Sequence, residues 1–483
     1  MGNFDDIEDD LTNDKKTQIK RVGLTENDKS IITNNDDNSN EFNQAIEPKA
    51  VKKREPKVTN DKYYKRHTEP FNFSSKLLRD STKIVYNATT SGYVQINIKT
   101  LQNIAYIFNY AGFKLQPFYL TDLSPSGTGK GENISKNSDL FLKPILDIEQ
   151  EKRINAIDEY KRIVSESKSN KEASQVPVPK NNRCIHGNDI SKEALYESFE
   201  AIPSQMIEMS ELGLRLEKKD DPVIAYIVDG HSKDIIKAPN YKNASMKKNL
   251  FVENISLFFT GDTNLEYLSK ELFYKHLGGG LINRCMIIYN DYIPSSKDYP
   301  EYYYIDKSIK EEYSNIVHRM IKFSKECSSY AIPNNYIKSS IFKEYNSYLQ
   351  NKKKELLDNR NPFGHFYNRA NYNFTAIIQV LHLVKCFEAN IWSSVIVDDT
   401  IKEAIELCKI YFDFSGLINE LNGTKAEEVK DLKTEKVMNY ISSQKLPLNI
   451  RDSYRALNIT KSELLSILAG KYTTDNKQIT RKL

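Results

Sequence analysis

Ser124-Pro-Ser-Gly-Thr-Gly-Lys130 follows the apolar run Lys114-Leu-Gln-Pro-Phe-Tyr-Leu120 and precedes a long helical pattern. The apolar run reads as a short strand that ends at a Ser/Pro/Gly turn. Strand, small-residue turn and helix in succession aim several backbone N–H groups and a helix N-terminus at one spot, which is how a chain holds phosphate. Ser126, Gly127, Thr128, Gly129 and Gly131 let the backbone wrap closely, and Lys130 supplies a cation for terminal phosphates. The competing reading is a plain Gly/Ser surface turn. The full phosphate-loop pattern asks for Gly at 124 and for Ser or Thr at 131. Ser124 and Gly131 both depart from it, and the second departure removes the hydroxyl that ligates Mg²⁺.

Upstream of this turn, Tyr93-Val-Gln-Ile-Asn-Ile-Lys99 alternates as a strand does, and Leu101, Ile104, Ala105, Ile107 and Phe108 then recur at helical spacing. Downstream, Asp139 to about Ser167 reads as one helix that leaves the core as it becomes polar, and 167–182 reads as an exposed connection. Gln205–Met209, Asn254–Thr260 and Arg284–Tyr289 are further strand candidates. Strands alternating with helices predict an α/β fold with a mostly parallel sheet covered on both faces. Past Pro300 the pattern is helical, over 309–328, 336–357, 368–389 and 399–421.

With 483 residues the chain has room for two or three folded units of roughly 100–200 residues each. The expected division is a disordered tail over 1–61, a core over 62–298, a helical domain over 299–428 and a small module over 429–483. The tail is rich in Asp, Asn, Lys and Thr and has too little apolar surface to offset its ordering entropy. Its basic stretch Lys49–Arg54 could touch DNA or a partner, but a solvated charge run is the favoured reading. A formal charge of +4, from 69 basic and 65 acidic residues, gives no global reason for tight nucleic-acid binding, so any such surface is local. Five scattered cysteines form no C-x-x-C pair and fit a reducing, cytoplasmic setting. The N-terminal sequence lacks the pattern of a signal peptide, and no run approaches the roughly 18 apolar residues of a membrane span. Cys184-Ile-His186 has no second close Cys/His pair to complete a zinc site.

Hydrolysis would need a carboxylate at the end of a neighbouring strand. Glu211 in Met206-Ile-Glu-Met-Ser-Glu211 occupies such a position, with Ser210 where an Asp is expected. Glu208 could compensate for Ser210 only if it points the same way, and it reads rather as a partly exposed strand residue. Leu257-Phe-Phe-Thr-Gly-Asp-Thr-Asn264 ends in a polar cluster, Asn264 included, that could contact the terminal phosphate or the attacking water, with a turn and an Asx cap for the next helix as the equal alternative. Arg284, after Gly278-Gly-Gly, reads either as an arginine reaching a phosphate in its own or a neighbouring subunit of a homo-oligomer, or as a structural arginine.

Taken in order, Ser124–Lys130, Met209-Ser-Glu-Leu-Gly213, Val228-Asp-Gly230, Gly279-Gly-Leu-Ile-Asn-Arg284, Asn368-Arg-Ala and Leu381-His-Leu resemble a P-loop family of phages and plasmids. That family is the domain of unknown function 3987, found beside primase and helicase modules; the match runs from about Phe71 to Asn422. The resemblance implies a RecA/AAA-like ATPase core, ATP with Mg²⁺, and a role in replicating a mobile element beside other replication proteins. By position it implies that Lys130 binds phosphate, that Glu211 is the catalytic carboxylate and that Arg284 is a finger or sensor.

The end of the chain reads as three short helical patterns, around 437–441, 450–457 and 462–468, with Thr460 as N-cap of the third, followed by a basic hairpin. Three small helices and a hairpin resemble a winged helix, in which the third helix enters the DNA major groove and the wing touches phosphates. Lys461, Lys471, Lys477, Arg481 and Lys482 are the candidate DNA contacts, and a protein-contact module is the alternative. The reading favoured is an ATP-driven, helicase-like motor; its rival is a non-hydrolysing DNA-binding initiator or adaptor with a degenerate loop.

Overall fold

The computed structural model describes residues 66–167, 175–179, 183–218, 221–233, 235–237, 251–265, 268–290, 292, 304–359, 361–413, 417, 434, 437–444, 446–457, 461–469, 472–474 and 478–482. Contacts divide the chain into Met1–Lys57 and Val58–Leu483, and every described residue belongs to the second unit. The tail expected over 1–61, its basic stretch, most of the connection over 167–182 and the Thr460 cap lie outside the described residues.

The strands in chain order are β1 (Tyr119–Asp122), β2 (Ile185–His186), β3 (Ser204–Met209), β4 (Ile235–Lys237), β5 (Phe251–Glu253), β6 (Ser256–Asp262) and β7 (Met286–Ile288). Five of them form one sheet in the order β2-β3-β6-β1-β7, and every pairing in it is parallel. β4 and β5 form a separate antiparallel pair. The register sets Asp122 beside Asp262 and Glu208 beside Thr260, so these polar residues share the sheet's C-terminal edge. Parallel strands covered on both faces are apolar throughout their length, as Leu257, Phe258 and Phe259 of β6 show.

The helices named below are α1 (Lys76–Asn87), α2 (Tyr93–Tyr110), α3 (Lys130–Phe141) and α4 (Lys143–Glu166). The strand expected at Tyr93–Lys99 is the first part of α2. Every residue of α2 from Tyr93 to Asn109 is buried, so its polar side chains lie inside like the apolar ones, and the alternation in sequence carries no facial information. The Gly92 N–H donates to the Gln95 side chain and starts the helix. The single helix expected over Asp139–Ser167 is interrupted at Leu142, where Pro144 takes a position in the first turn of a new helix. In α4 burial is confined to Pro144, Ile145 and Glu149, so most of its length is exposed. β1 starts later than its apolar run and takes in Thr121 and Asp122, and Arg284 lies in a 3₁₀ turn before β7.

Short elements fill the middle of the chain, α5 (Lys192–Ala201), α6 (Leu212–Leu216), α7 (Pro222–Ser232) and α8 (Lys270–Gly279). The helical part holds α9 (Lys307–Cys327), α10 (Ser340–Asp358), α11 (Ala370–Ala389) and α12 (Asp398–Tyr411). Their buried residues join one continuous apolar core with the sheet. Polar ties run between the two parts: Ser74 donates from N and Oγ to Glu403, and Tyr411 donates to the Val94 carbonyl. None of the helices searched among the described residues is long and apolar enough to cross a membrane.

A second, smaller core gathers Val437, Ile441, Ile450, Leu457, Leu464, Leu468, Tyr472 and Ile479. It lies among helical residues 437–443, α13 (Ile450–Ala456), α14 (Lys461–Leu468) and an antiparallel sheet in the order β8-β10-β9, from β8 (Leu448–Asn449), β9 (Tyr472–Thr474) and β10 (Gln478–Lys482). Phe258, fully buried at the centre of the large core, tests that core directly. Phe258→Ala is expected to lower stability by about 3–5 kcal/mol in urea denaturation followed by far-ultraviolet dichroism.

Candidate nucleotide site

The chain leaves β1 and turns back at Ser124–Gly129 into α3. Gly129, at φ 76°, lies in the left-handed region and caps α3. A Cβ there would come within 2.6 Å of the Ser91 nitrogen and the Thr90 hydroxyl, so only glycine fits. The turn before α2 grips the loop from outside: Ser91 Oγ donates to the Gly129 carbonyl at 2.6 Å, and Glu132 accepts from Thr90 N and Oγ1 at 2.8 and 3.0 Å. Inside the loop, Thr128 Oγ1 donates to the Pro125 carbonyl, and Ser124 Oγ accepts from Asn290 N beyond β7.

Lys130 opens α3, and its ammonium reaches back to donate to the Ser124 carbonyl and, at 3.0 Å, to the Thr263 carbonyl just past β6. Asn264 Nδ2 donates to Ser126 Oγ at 3.1 Å. Ser126, Lys130 and Asn264, drawn from two parts of the sequence, therefore meet at one place. The ammonium and the N-terminus of α3, whose first N–H groups lack acceptors within the helix, both favour an anion there. Gly131 is exposed, and a Cβ added to it would meet nothing within 4 Å.

Beneath the loop, α2 presents polar side chains to the strand ends. Asp122 accepts from Gln95 Nε2 at 2.8 Å and from Ser124 N at 3.0 Å. Lys99, 1% exposed at its side chain, donates to Glu208 at 2.7 Å, to Thr260 Oγ1 at 3.0 Å and to Gln102 at 2.8 Å. Glu208, expected to be a partly exposed strand residue, is thus the partner of a buried lysine, with its side chain 14% exposed. Burial raises the pKa of Asp122, against the pull of Lys130. Burial, and then the neighbouring Asp122, push Asp262 well above the usual carboxylate range. Two like charges side by side in a dry site do not both ionise freely.

Glu211 caps α6 and is exposed; its backbone N–H reaches Asn188 at 3.4 Å. It belongs to the same edge, because Gly213 two residues on packs against Thr263, where a Cβ would lie 2.5 Å from the hydroxyl. Ser210 Oγ accepts from Asn188 Nδ2 at 2.8 Å. Arg284 precedes β7 at the other end of the sheet from the loop, so this chain does not bring it to Lys130. There its guanidinium donates to the Gly280 carbonyl, and burial, then the neighbouring Arg369, lowers its pKa. His231 nearby is pushed down to about 3, first by burial and then by Arg284.

Cys184 is buried, and its carbonyl accepts from Tyr106; His186 bonds Gln205 at 2.8 Å. Of the residues proposed for DNA, Lys461 is exposed at the start of α14, and Arg481 and Lys482 belong to β10. Lys471 and Lys477 lie outside the described residues. Sequence reasoning passed over Asp122 and Lys99, and it took in Asp262 only as part of the polar strand tip. Asp122 stands two residues before the loop and Asp262 within the polar strand end, which was their only signal.

No protein-family profile matches the chain, and no curated protein is significantly similar to it. The family resemblance therefore rests on the quoted motifs.

Two glycines of the loop make opposite demands. Gly129→Ala is expected to destabilise by more than about 1 kcal/mol, because its φ is incompatible with alanine. Gly131→Ala, in open space within a helix, is expected to be neutral or to stabilise by about 0.5–1 kcal/mol; urea midpoints of the two variants distinguish them. The raised carboxylate pKa also has a sign. The folded state holds the proton more tightly than the unfolded chain, so stability falls as pH rises from the ordinary carboxylate range, about 4, towards the raised folded value of Asp262. Asp262→Asn is expected to flatten this fall and to be more stable than the wild type at pH 7, read from denaturant midpoints between pH 4 and 8.

Proposed function

We propose that the chain binds ATP at Ser124–Gly131 and acts on DNA as a helicase-like motor in the replication of a mobile element. The observation that carries this is the Lys130 ammonium, held between the Ser124 and Thr263 carbonyls at the junction of strand, small-residue loop and helix. The sheet order adds support. From β1 the chain crosses to the edge strand β2, returns through β3 and β6, and then passes β1 to reach β7. The connection from β1 runs one way and that from its neighbour β6 the other, and adjacent strands so connected open a crevice between their carboxyl ends, where α/β sheets bind ligands. Ser126, Gly127, Thr128, Gly129, Gly131 and Asn264 would surround the phosphates, Lys130 would neutralise them, and Glu211 at the same edge would orient the attacking water. A RecA/AAA-like core is the form of α/β fold this reading implies. Arg284 would act only in a homo-oligomer, from one subunit into the next.

The C-terminal order of helical residues 437–443, β8, α13, α14, β9 and β10 resembles a winged helix, with α14 as the element for the groove and the β9–β10 hairpin as the wing. Lys461, Lys471, Lys477, Arg481 and Lys482 would meet phosphates.

The second reading, a nucleotide-binding adaptor without turnover, is favoured by the carboxylates themselves. Glu208 is occupied by Lys99, Ser210 stands where a metal-binding Asp is expected, and Glu211 is exposed. DNA-stimulated ATP hydrolysis by the wild type, falling about 100-fold or more in Lys130→Ala, is the outcome expected of a motor. ATP binding with no turnover supports the adaptor. Absence of ATP binding in the wild type removes both readings.

A further inference from the structure

A bound Mg²⁺–nucleotide would find no hydroxyl at position 131. Gly131 opens onto solvent and nothing within 4 Å of a Cβ there replaces it. The strand ends beneath the loop hold more acids than bases. The carboxylates of Asp122, Asp262 and Glu208 and the ammoniums of Lys99 and Lys130 act on one another there, three acids against two bases. Lys99 is committed to Glu208 at 2.7 Å, which leaves Lys130, bonded to two neutral carbonyls, facing two aspartates.

Asp122 already accepts from Gln95 and from the Ser124 N–H. Asp262 differs. It is 3% exposed, and its carboxylate accepts no hydrogen bond among the described residues. A carboxyl group enclosed to this degree with no protein donor is costly to ionise unless a cation compensates it. The next residue, Thr263, gives its carbonyl to Lys130, and the one after, Asn264, bonds Ser126 of the loop. Asp262 therefore ends the strand that closes the loop from the other side. Mg²⁺ is commonly held by one or two carboxylates with substrate phosphates and water, so this pair is a sufficient protein share, although no group of three metal-binding side chains forms among the described residues.

We propose that Asp262, with Asp122 positioned beside it, takes the divalent cation of the bound nucleotide in place of the loop hydroxyl missing at Gly131. The assignment rests on the nucleotide reading above and names the residues that serve the cation within it. Asp262 is the ligand; Asp122, anchored by Gln95, keeps the pair oriented.

The test is the affinity of the full-length protein for ADP, measured by calorimetry with MgCl₂, with MnCl₂ and with EDTA. The wild type is expected to bind at least about tenfold more tightly with either cation than with EDTA, a difference of about 1.4 kcal/mol. Asp262→Asn is expected to keep the EDTA affinity, which also reports that it folds, and to lose the increment from the metal. Gly131→Ser added to Asp262→Asn is expected to restore it, because the hydroxyl enters open space. An increment that survives in Asp262→Asn overturns the assignment, as does a wild type that binds ADP equally with and without cation; either leaves the nucleotide reading standing. No ADP binding under any condition overturns both.

Discussion

A buried layer of polar and charged side chains between α2 and the C-terminal ends of β1, β3 and β6 is the constraint on which the rest of the site depends. α2 is enclosed on all sides, so Gln95, Lys99 and Gln102 have to find their partners inside the protein. They find them on the strands: Gln95 on Asp122, Lys99 on Glu208 and Thr260, and Gln102 on the carbonyls of Phe118 and Phe259 and on the Thr260 hydroxyl. Each bond fixes the helix along the strand direction, which an apolar contact would leave free to slide. A half-satisfied network in low dielectric is more costly than an apolar core, so this layer specifies one register of helix on sheet.

From that register the loop geometry follows. The turn before α2 carries Thr90 and Ser91, and once α2 is placed these reach Gly129 and Glu132. The first turn of α3 is thereby held from behind. Lys130 spans from this turn to Thr263, linking the loop to the neighbouring strand. Removal of any one tie would loosen the orientation of the others, since loop, α2 and β6 are joined in a cycle.

The layer also explains why the carboxylates have unequal roles. Glu208 is paired and Asp122 is hydrogen-bonded, whereas Asp262 sits beside Asp122 under a desolvation cost that its neighbours do not offset. Two acids crowded out of water in this way cost stability as they ionise. Arg284, at the far end of the sheet, contributes nothing to this balance within its own chain.

Local signals in the sequence determined the loop and most of the elements around it. Gly127, Gly129 and Lys130 between an apolar run and a helix are legible because left-handed backbone, close wrapping and a cation each need a particular residue type at a particular spacing. The strands at 204–209 and 256–262, and the helices from Lys307 onward, were legible because burial of an element leaves an apolar run or a helical period. Tertiary structure alone decided what α2 is, since a helix buried on every face has no polar side to reveal its period, and Tyr93–Lys99 alternates by accident. It alone decided which carboxylates meet, because Asp122 and Asp262 lie far apart in the chain and become neighbours only through parallel pairing of β1 and β6. Pairing between distant strands is set by packing of the whole sheet, and no short stretch of sequence carries it.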